Sequence, residues 1–176
     1  MGNIPLSDIF QIKGRFQRSI HLERDFYTEN ALDGYVLTVT AREMLSRVVA
    51  TLENEATSKA WSLTGPYGSG KSAFALFSAK LLGTSNAPTT QQALELLRHS
   101  DFTLYKRFLS INRNRTKVSV GFCPVLISGE RAPITRALLQ GLEHGLKTFG
   151  ISSRHSLRKS IQELLNPEEN DNLLQA

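Results

Sequence analysis

The chain has 176 residues, of which 40% are hydrophobic and 21% are charged, a balance typical of a soluble globular domain with a core of its own. The single cysteine, Cys123, excludes an intrachain disulfide framework, and the absence of an apolar run of roughly 18 residues argues against a membrane-spanning helix. The N-terminus lacks the basic and apolar regions of a signal peptide, so we expect a reducing cytoplasmic location. The net charge of +5 is compatible with a nucleic-acid partner but is also common in proteins that bind none.

The elements before residue 65 are a helix and a short strand. Residues 1–39 are mixed and show no clear pattern, whereas Thr40 and Glu43 have capping-box spacing and predict the start of a helix. The apolar positions of this helix follow a helical period at Leu45, Val48, Val49 and Leu52. Residues 60–64 predict a strand, on which Trp61 is expected to belong to the core.

Four further helices and one strand are predicted after residue 72. A helix over 73–82 places Phe74, Phe77 and Leu81 on one stripe, and Gly83 is suited to end it. A second helix is expected from Thr89, a strand over 122–127, and helices over 133–148 and 153–165. The most basic stretch of the chain lies between residues 106 and 117, where the cations are Lys106, Arg107, Arg113, Arg115 and Lys117.

This alternation of helices and strands predicts an α/β fold, a P-loop NTPase-like parallel sheet flanked by helices. We expect three regions: an N-terminal lead-in segment with a helix (1–57), a partial P-loop NTPase core (58–150), and a C-terminal helix with a polar tail (151–176). Only two strands are clear, so the sheet is expected to be incomplete. A sheet that lacks strands exposes an edge, which favours a second protein chain as a partner.

The segment Gly65-Pro66-Tyr67-Gly68-Ser69-Gly70-Lys71-Ser72 matches the pattern G-x-x-x-x-G-K-[ST] of a phosphate-binding loop. Glycines allow the backbone to wrap closely, so that successive N–H groups point at phosphate oxygens, and the helix that follows presents its positive end to the same anion. In such loops the lysine, here Lys71, reaches the β- and γ-phosphates, and the hydroxyl of Ser72 ligates Mg²⁺. The sequence therefore predicts a site for ATP and Mg²⁺.

Hydrolysis requires an additional carboxylate that holds Mg²⁺ and orients water, and no apolar run in this chain ends in Asp or Glu in the expected way. The nearest approach is Glu130, which follows Ser128 and Gly129 after the predicted strand; a solvent-facing loop carboxylate is the competing interpretation. The catalytic residues are therefore unknown at this point, with Glu130 as a weak candidate.

The loop in its surroundings, residues 60–75, resembles the P-loop of AAA+-related and STAND-like proteins, among them the large ATPases of BREX-type phage-defence islands. Residues 32–38 resemble the lead-in segment that passes near the adenine in AAA+ proteins, and residues 124–131 resemble a second core strand. The resemblance implies an ATP-binding module that forms the N-terminal part of a larger ATPase. The strand with the acidic pair, the sensor residue and the arginine finger would follow in such proteins, so hydrolysis by this chain alone is not expected.

Two other functions stay open. A small P-loop kinase would suit the length, but its P-loop usually lies near the N-terminus, and here Arg113 and Arg115 are the only candidates for a lid. A non-enzymatic nucleic-acid-binding protein would use the basic stretch together with the C-terminal cations Arg154, Arg158 and Lys159 to contact DNA phosphates.

Overall fold

The computed structural model describes residues 19–53, 59–84, 87–115, 121–129, 133–149 and 155–165. Within these ranges the regular elements are helices. They are α1 (Leu22–Phe26), α2 (Val39–Glu53), α3 (Lys71–Leu82), α4 (Pro88–Ser100), α5 (Phe102–Arg115), α6 (Ile134–Thr148) and α7 (His155–Leu165).

The prediction of a parallel α/β sheet is wrong, because the described residues contain no β-strand. The segments 60–64 and 122–127, predicted as strands, have no regular secondary structure and do not pair with each other or with another strand of the described residues. The backbone N–H of Phe122 donates to Leu82 O at the end of α3 (2.8 Å), and that of Ser128 donates to the carboxylate of Glu23 on α1 (2.6 Å). Apolar and β-branched residues favour an extended backbone locally, whereas a sheet also requires a partner strand, which such a pattern does not specify.

Helix α3 is the centre of the core. Phe77 and Leu81 are completely buried, as the predicted stripe requires, and Phe74 is 7% exposed. The helix packs against α1 on one side and α4 on the other; α4 packs on α5, which in turn packs on α2. The glycine-rich loop immediately before α3 is therefore attached to a helix of the core.

Helices α6 and α7 pack against each other, and α6 also lies against the segment 121–129. A Cβ added at Gly141 would lie 2.8 Å from the side chain of Ile127, and one at Gly145 would lie 3.1 Å from Pro124 O. These two glycines, one turn apart on α6, let this segment approach closely. Cys123 is half-buried in the segment, and burial raises the pKa of its thiol.

Several local predictions need correction. Helix α2 begins at Val39 rather than Thr40, and the hydroxyl of Thr38 accepts a hydrogen bond from the N–H of Ala41 (3.2 Å), so Thr38 caps the helix. Helix α4 begins at Pro88, a residue before the predicted start, because proline at the first position loses no intrahelical hydrogen bond. Trp61, expected in the core, is 49% exposed.

Two helices of the structure were not predicted from the sequence. The short α1 lies in the stretch that gave no pattern, and α5 covers the basic stretch that was left without an element. The signals for α5 are present in the sequence: Asp101 accepts a hydrogen bond from the N–H of Leu104 (2.9 Å) as an N-terminal cap. The buried face of α5 has helical spacing, at Leu104, Phe108 and Ile111.

Helices long and apolar enough to cross a membrane are absent from the part of the chain that the structure describes.

Candidate phosphate-binding loop

The loop Gly65–Ser72 joins the segment 59–64 to α3, and two of its glycines have left-handed backbone conformations. Gly68 has φ of 80° and Gly70 has φ of 84°. No atom lies within 4 Å of a Cβ added at either position, so the backbone conformation rather than space demands glycine. The motif spacing thus coincides with the two points where the chain must turn in a way that other residues avoid.

Lys71, the first residue of α3, folds back over the loop. Its Nζ donates hydrogen bonds to Gly65 O at 2.8 Å and to Pro66 O at 2.7 Å, and it lies 3.3 Å from the hydroxyl oxygen of Ser69. A lysine ammonium has three donors and no acceptor. The ammonium therefore lies over the mouth of the loop, next to the N-terminal end of α3, and its partners are groups of the loop itself.

The N-terminal end of α3 has no competing side-chain cap. Gly70 occupies the N-cap position and the first turn contains no acidic residue. The backbone N–H groups at a helix start have no intrahelical acceptor and carry a partial positive charge. Residues 65–70 and Ser72 are exposed, so these donors are open to a solvent anion.

Tyr67 projects from the tip of the loop with 94% of its surface exposed. Its hydroxyl lies 2.9 Å from the hydroxyl of Ser19, so the beginning of the described lead-in segment touches the loop. Ser19 is not among the residues that the sequence predicts for the loop. A serine 48 positions away in the sequence carries no local signal that would reveal this contact.

The residues present fit a phosphate group better than they define a metal site. Lys71, the glycine amides and the helix start suit a polyanion, while Ser72 supplies one hydroxyl of the kind that ligates Mg²⁺ in such loops. In the described ranges, no group of three or more His, Cys, Asp or Glu side chains is arranged to hold a metal ion. Glu130, the weak catalytic candidate, lies outside the described residues.

The predicted adenine segment, residues 32–38, packs on the core. Leu32 is 2% exposed and Leu37 is 7% exposed. Tyr35 stacks on Phe77 of α3 with ring centroids 5.1 Å apart, and burial raises the pKa of Tyr35 to about 12. The segment thus contacts the same helix that carries the loop, and its role near adenine stays a prediction.

The basic stretch has fewer available cations than its sequence suggests. Arg107 forms an ion pair with Glu53 of α2 at 2.7 Å, and the hydrogen bond from Arg107 holds the pKa of Glu53 below its usual value. Lys106 lies over the ring of Phe102, with Nζ 4.6 Å from the ring centroid. Lys159 of α7 lies 3.8 Å from Glu163. The remaining cations of the proposed DNA surface, whose side chains lie outside the described part, are Arg113, Arg115, Lys117, Arg154 and Arg158.

Comparisons of the chain with protein-family models, with curated proteins and with solved structures found no match.

Proposed function

We propose that the loop Gly65–Ser72 binds the phosphate groups of ATP in the presence of Mg²⁺. The observation that carries this proposal is the position of Lys71, whose ammonium lies over a loop with two left-handed glycines at the start of α3. Each of these features favours an anion independently, and together they converge on one small region of the surface.

Binding exchanges one set of partners for another. The ammonium of Lys71 leaves the carbonyl oxygens of Gly65 and Pro66 and donates to phosphate oxygens, which are charged and therefore stronger acceptors. The backbone N–H groups of the loop and of the first turn of α3 complete the contacts. Mg²⁺, when bound, neutralises part of the phosphate charge, and the hydroxyl of Ser72 is the group of the loop placed to ligate it.

The proposal concerns binding and not turnover. A hydrolytic site needs a carboxylate that orients water, and no carboxylate of the described residues is assigned to that role. The resemblance of residues 60–75 to AAA+-related ATPases supports ATP as the nucleotide. It also supports a larger ATPase, of which this chain forms the N-terminal part and in which the hydrolytic groups lie outside it; phage defence as the process rests on that resemblance alone.

The test is a calorimetric titration of the full chain with MgATP, comparing wild type with Lys71→Ala and with the control Lys59→Ala. Lys59 is an exposed lysine a short distance before the loop, so its removal changes the net charge equally. We expect Lys71→Ala to weaken binding by about 10- to 100-fold, the equivalent of a hydrogen bond to a charged group. Lys59→Ala should bind like wild type.

Equal affinities of wild type and Lys71→Ala would contradict the proposal. A parallel titration with inorganic tripolyphosphate separates phosphate recognition from base recognition. Tripolyphosphate is expected to bind, because the contacts named above go to phosphate oxygens only.

A further inference from the structure

One hydroxyl of the phosphate loop, that of Tyr67, is paired with a hydroxyl from a distant part of the chain. The partner is Ser19, 48 positions earlier in the sequence, and the two hydroxyl oxygens are 2.9 Å apart. Both residues are exposed, so the pair is open to a ligand in the loop. The phosphate-loop motif assigns no role to either hydroxyl, because its contacts come from the backbone amides, the lysine and the serine that follows the lysine.

The two residues of the pair are held in different ways. Ser19 precedes Ile20 and Leu22, whose side chains are partly buried against the core. The side chain of Tyr67 is 94% exposed, so packing contributes little to its position. The hydrogen bond to Ser19 therefore attaches the tip of the loop to a segment that packs on the core.

The position of Lys71 indicates which phosphate would lie near Tyr67. In phosphate-binding loops the backbone N–H groups hold the α- and β-phosphates, and the lysine reaches the β- and γ-phosphates. The ammonium of Lys71 lies 2.7 Å from Pro66 O, and the carbon of that carbonyl group is bonded to the nitrogen of Tyr67. The backbone of Tyr67 is therefore within about 5 Å of the ammonium. A tyrosine side chain is longer than that distance, so its hydroxyl can reach a phosphate oxygen that the ammonium also holds.

We infer that the hydroxyl of Tyr67 donates a hydrogen bond to the γ-phosphate of bound ATP, and that Ser19 is the positioning residue for this hydroxyl. The inference rests on the proposed function of the loop. Each hydroxyl has one proton and can also accept. When Ser19 donates to the oxygen of Tyr67, the proton of Tyr67 is free for a phosphate oxygen, which is charged and therefore a strong acceptor. Because ADP has no γ-phosphate, this contact favours ATP over ADP.

The test compares the affinities of the full chain for MgATP and MgADP by calorimetry, in wild type and in Tyr67→Phe. The substitution removes the hydroxyl, keeps the ring and lies at an exposed side chain, so it leaves the core unchanged. We expect it to weaken MgATP binding about tenfold, the lower end of the effect of a hydrogen bond to a charged group, and to leave MgADP binding unchanged. Lys71→Ala should weaken the binding of both nucleotides, because the lysine also reaches the β-phosphate.

Tyr27→Phe is the matched control. Tyr27 is also an exposed tyrosine, and it follows Phe26, whose carbonyl oxygen accepts a hydrogen bond from Lys80. Lys80 is nine residues after Lys71 on α3, a distance of about 14 Å along the helix. The same chemical change is therefore made away from the loop, and both nucleotide affinities should equal those of wild type.

Variants of Ser19 test the positioning role. Ser19→Ala should weaken MgATP binding about two- to threefold and leave MgADP binding unchanged, whereas Ser19→Thr keeps the hydroxyl and should bind both nucleotides like wild type. In a chain that already carries Tyr67→Phe, Ser19→Ala should have no further effect, because Ser19 acts through the tyrosine hydroxyl.

An ATP-to-ADP affinity ratio that Tyr67→Phe does not change would overturn the inference and leave the proposed function intact, since both nucleotides still bind. Equal effects of Ser19→Ala with and without the tyrosine hydroxyl would overturn the positioning role. If wild type binds neither nucleotide, the proposed function itself is contradicted and this inference with it.

Discussion

Two lysines of α3 both donate hydrogen bonds to backbone carbonyl groups, but they have different roles. Lys71 donates to loop carbonyls at the exposed start of the helix, and Lys80 donates to Phe26 O (2.7 Å) and Thr28 O (2.9 Å) in a fully buried position. Lys80 thereby satisfies carbonyls at the end of α1, which have no helical partner. Burial lowers the pKa of Lys80 to about 8, and the charge of Asp25 partly opposes this shift. Helix α3 thus carries one lysine that is available to a ligand, Lys71, and one that stabilises the fold, Lys80.

Because Gly70 has a left-handed backbone conformation, we expect a substitution there to destabilise the fold even though there is space for a side chain. Gly70→Ala is expected to lower the free energy of unfolding by about 1–2 kcal/mol, because alanine at φ of 84° is strained although nothing would contact its Cβ. Gly129→Ala is the control, since that glycine also has free space but no left-handed conformation. Urea unfolding measures both, and equal effects of the two variants would contradict the conformational explanation.

The lowered pKa of Lys80 predicts a dependence of stability on pH. Its folded-state pKa of about 8 lies below its ordinary value of 10.5, so between these pH values the unfolded chain binds more protons at this residue. The Lys80 contribution to the free energy of unfolding therefore rises from pH 8 to pH 10.5. Lys80→Met lacks this contribution, so the stability of wild type relative to the variant should increase over that interval in urea unfolding experiments.

Tyr35 also contributes to the pH dependence of stability, but it does not affect the difference between wild type and Lys80→Met. Its raised pKa favours the protonated form in the folded state, so its contribution decreases from pH 10 to about pH 12, the opposite direction. Because Tyr35 is present in both proteins, its effect cancels in the difference. A difference between wild type and Lys80→Met that does not change with pH would contradict the assignment to Lys80.

At the scale of the elements, the helices are stabilised by one shared apolar cluster to which α1 to α5 contribute. The cluster includes Leu45 and Val49 of α2, Phe77 of α3, Leu97 of α4 and Phe108 of α5. Helices α6 and α7 differ, because apolar residues on their surfaces are exposed, with Ile134 at 76% and Leu164 at 66%. Helices α6 and α7 also have clear amphipathic spacing, so this spacing does not reveal which apolar residues will be covered.

This contrast predicts different effects for the same substitution in two helices. Leu97→Ala is expected to lower the free energy of unfolding by about 2–5 kcal/mol, because the leucine is completely buried in the shared cluster. Leu164→Ala should change it by no more than about 0.5 kcal/mol, because that side chain is largely exposed. Thermal or urea unfolding of the two variants measures both, and a large loss in Leu164→Ala would show that α7 is covered in solution.

At the scale of the whole molecule, the loop precedes a helix in the structure as it does in the prediction. The surroundings of the loop differ, because in the described part of the chain helices and not a sheet pack beside it. The loop immediately precedes a helix start, as the P-loop pattern requires, but the residues before it do not form the predicted strand. Segment 60–64 is not enclosed by neighbouring strands, and Trp61 within it is 49% exposed. The loop geometry therefore depends on its glycines, on the fold-back of Lys71 and on the packing of α3.

Features that depend on neighbouring residues in the sequence can be predicted from the sequence alone. The glycine positions of the loop, the helix that follows it and the buried stripe of Phe74, Phe77 and Leu81 all follow from backbone preferences and from the helical period. The cap at Asp101 is a local signal of the same kind and indicates the start of α5.

Features that depend on distant contacts required the tertiary structure. Residues far away in the chain determine whether 60–64 and 122–127 form a sheet and whether Trp61 is covered. The contact between Ser19 and Tyr67 likewise joins distant parts of the chain. The same holds for the burial of Lys80. Helical hydrogen bonds close within four residues and are therefore encoded locally, whereas strand pairing and burial are energies of contact between separate segments, which a single stretch of sequence does not contain.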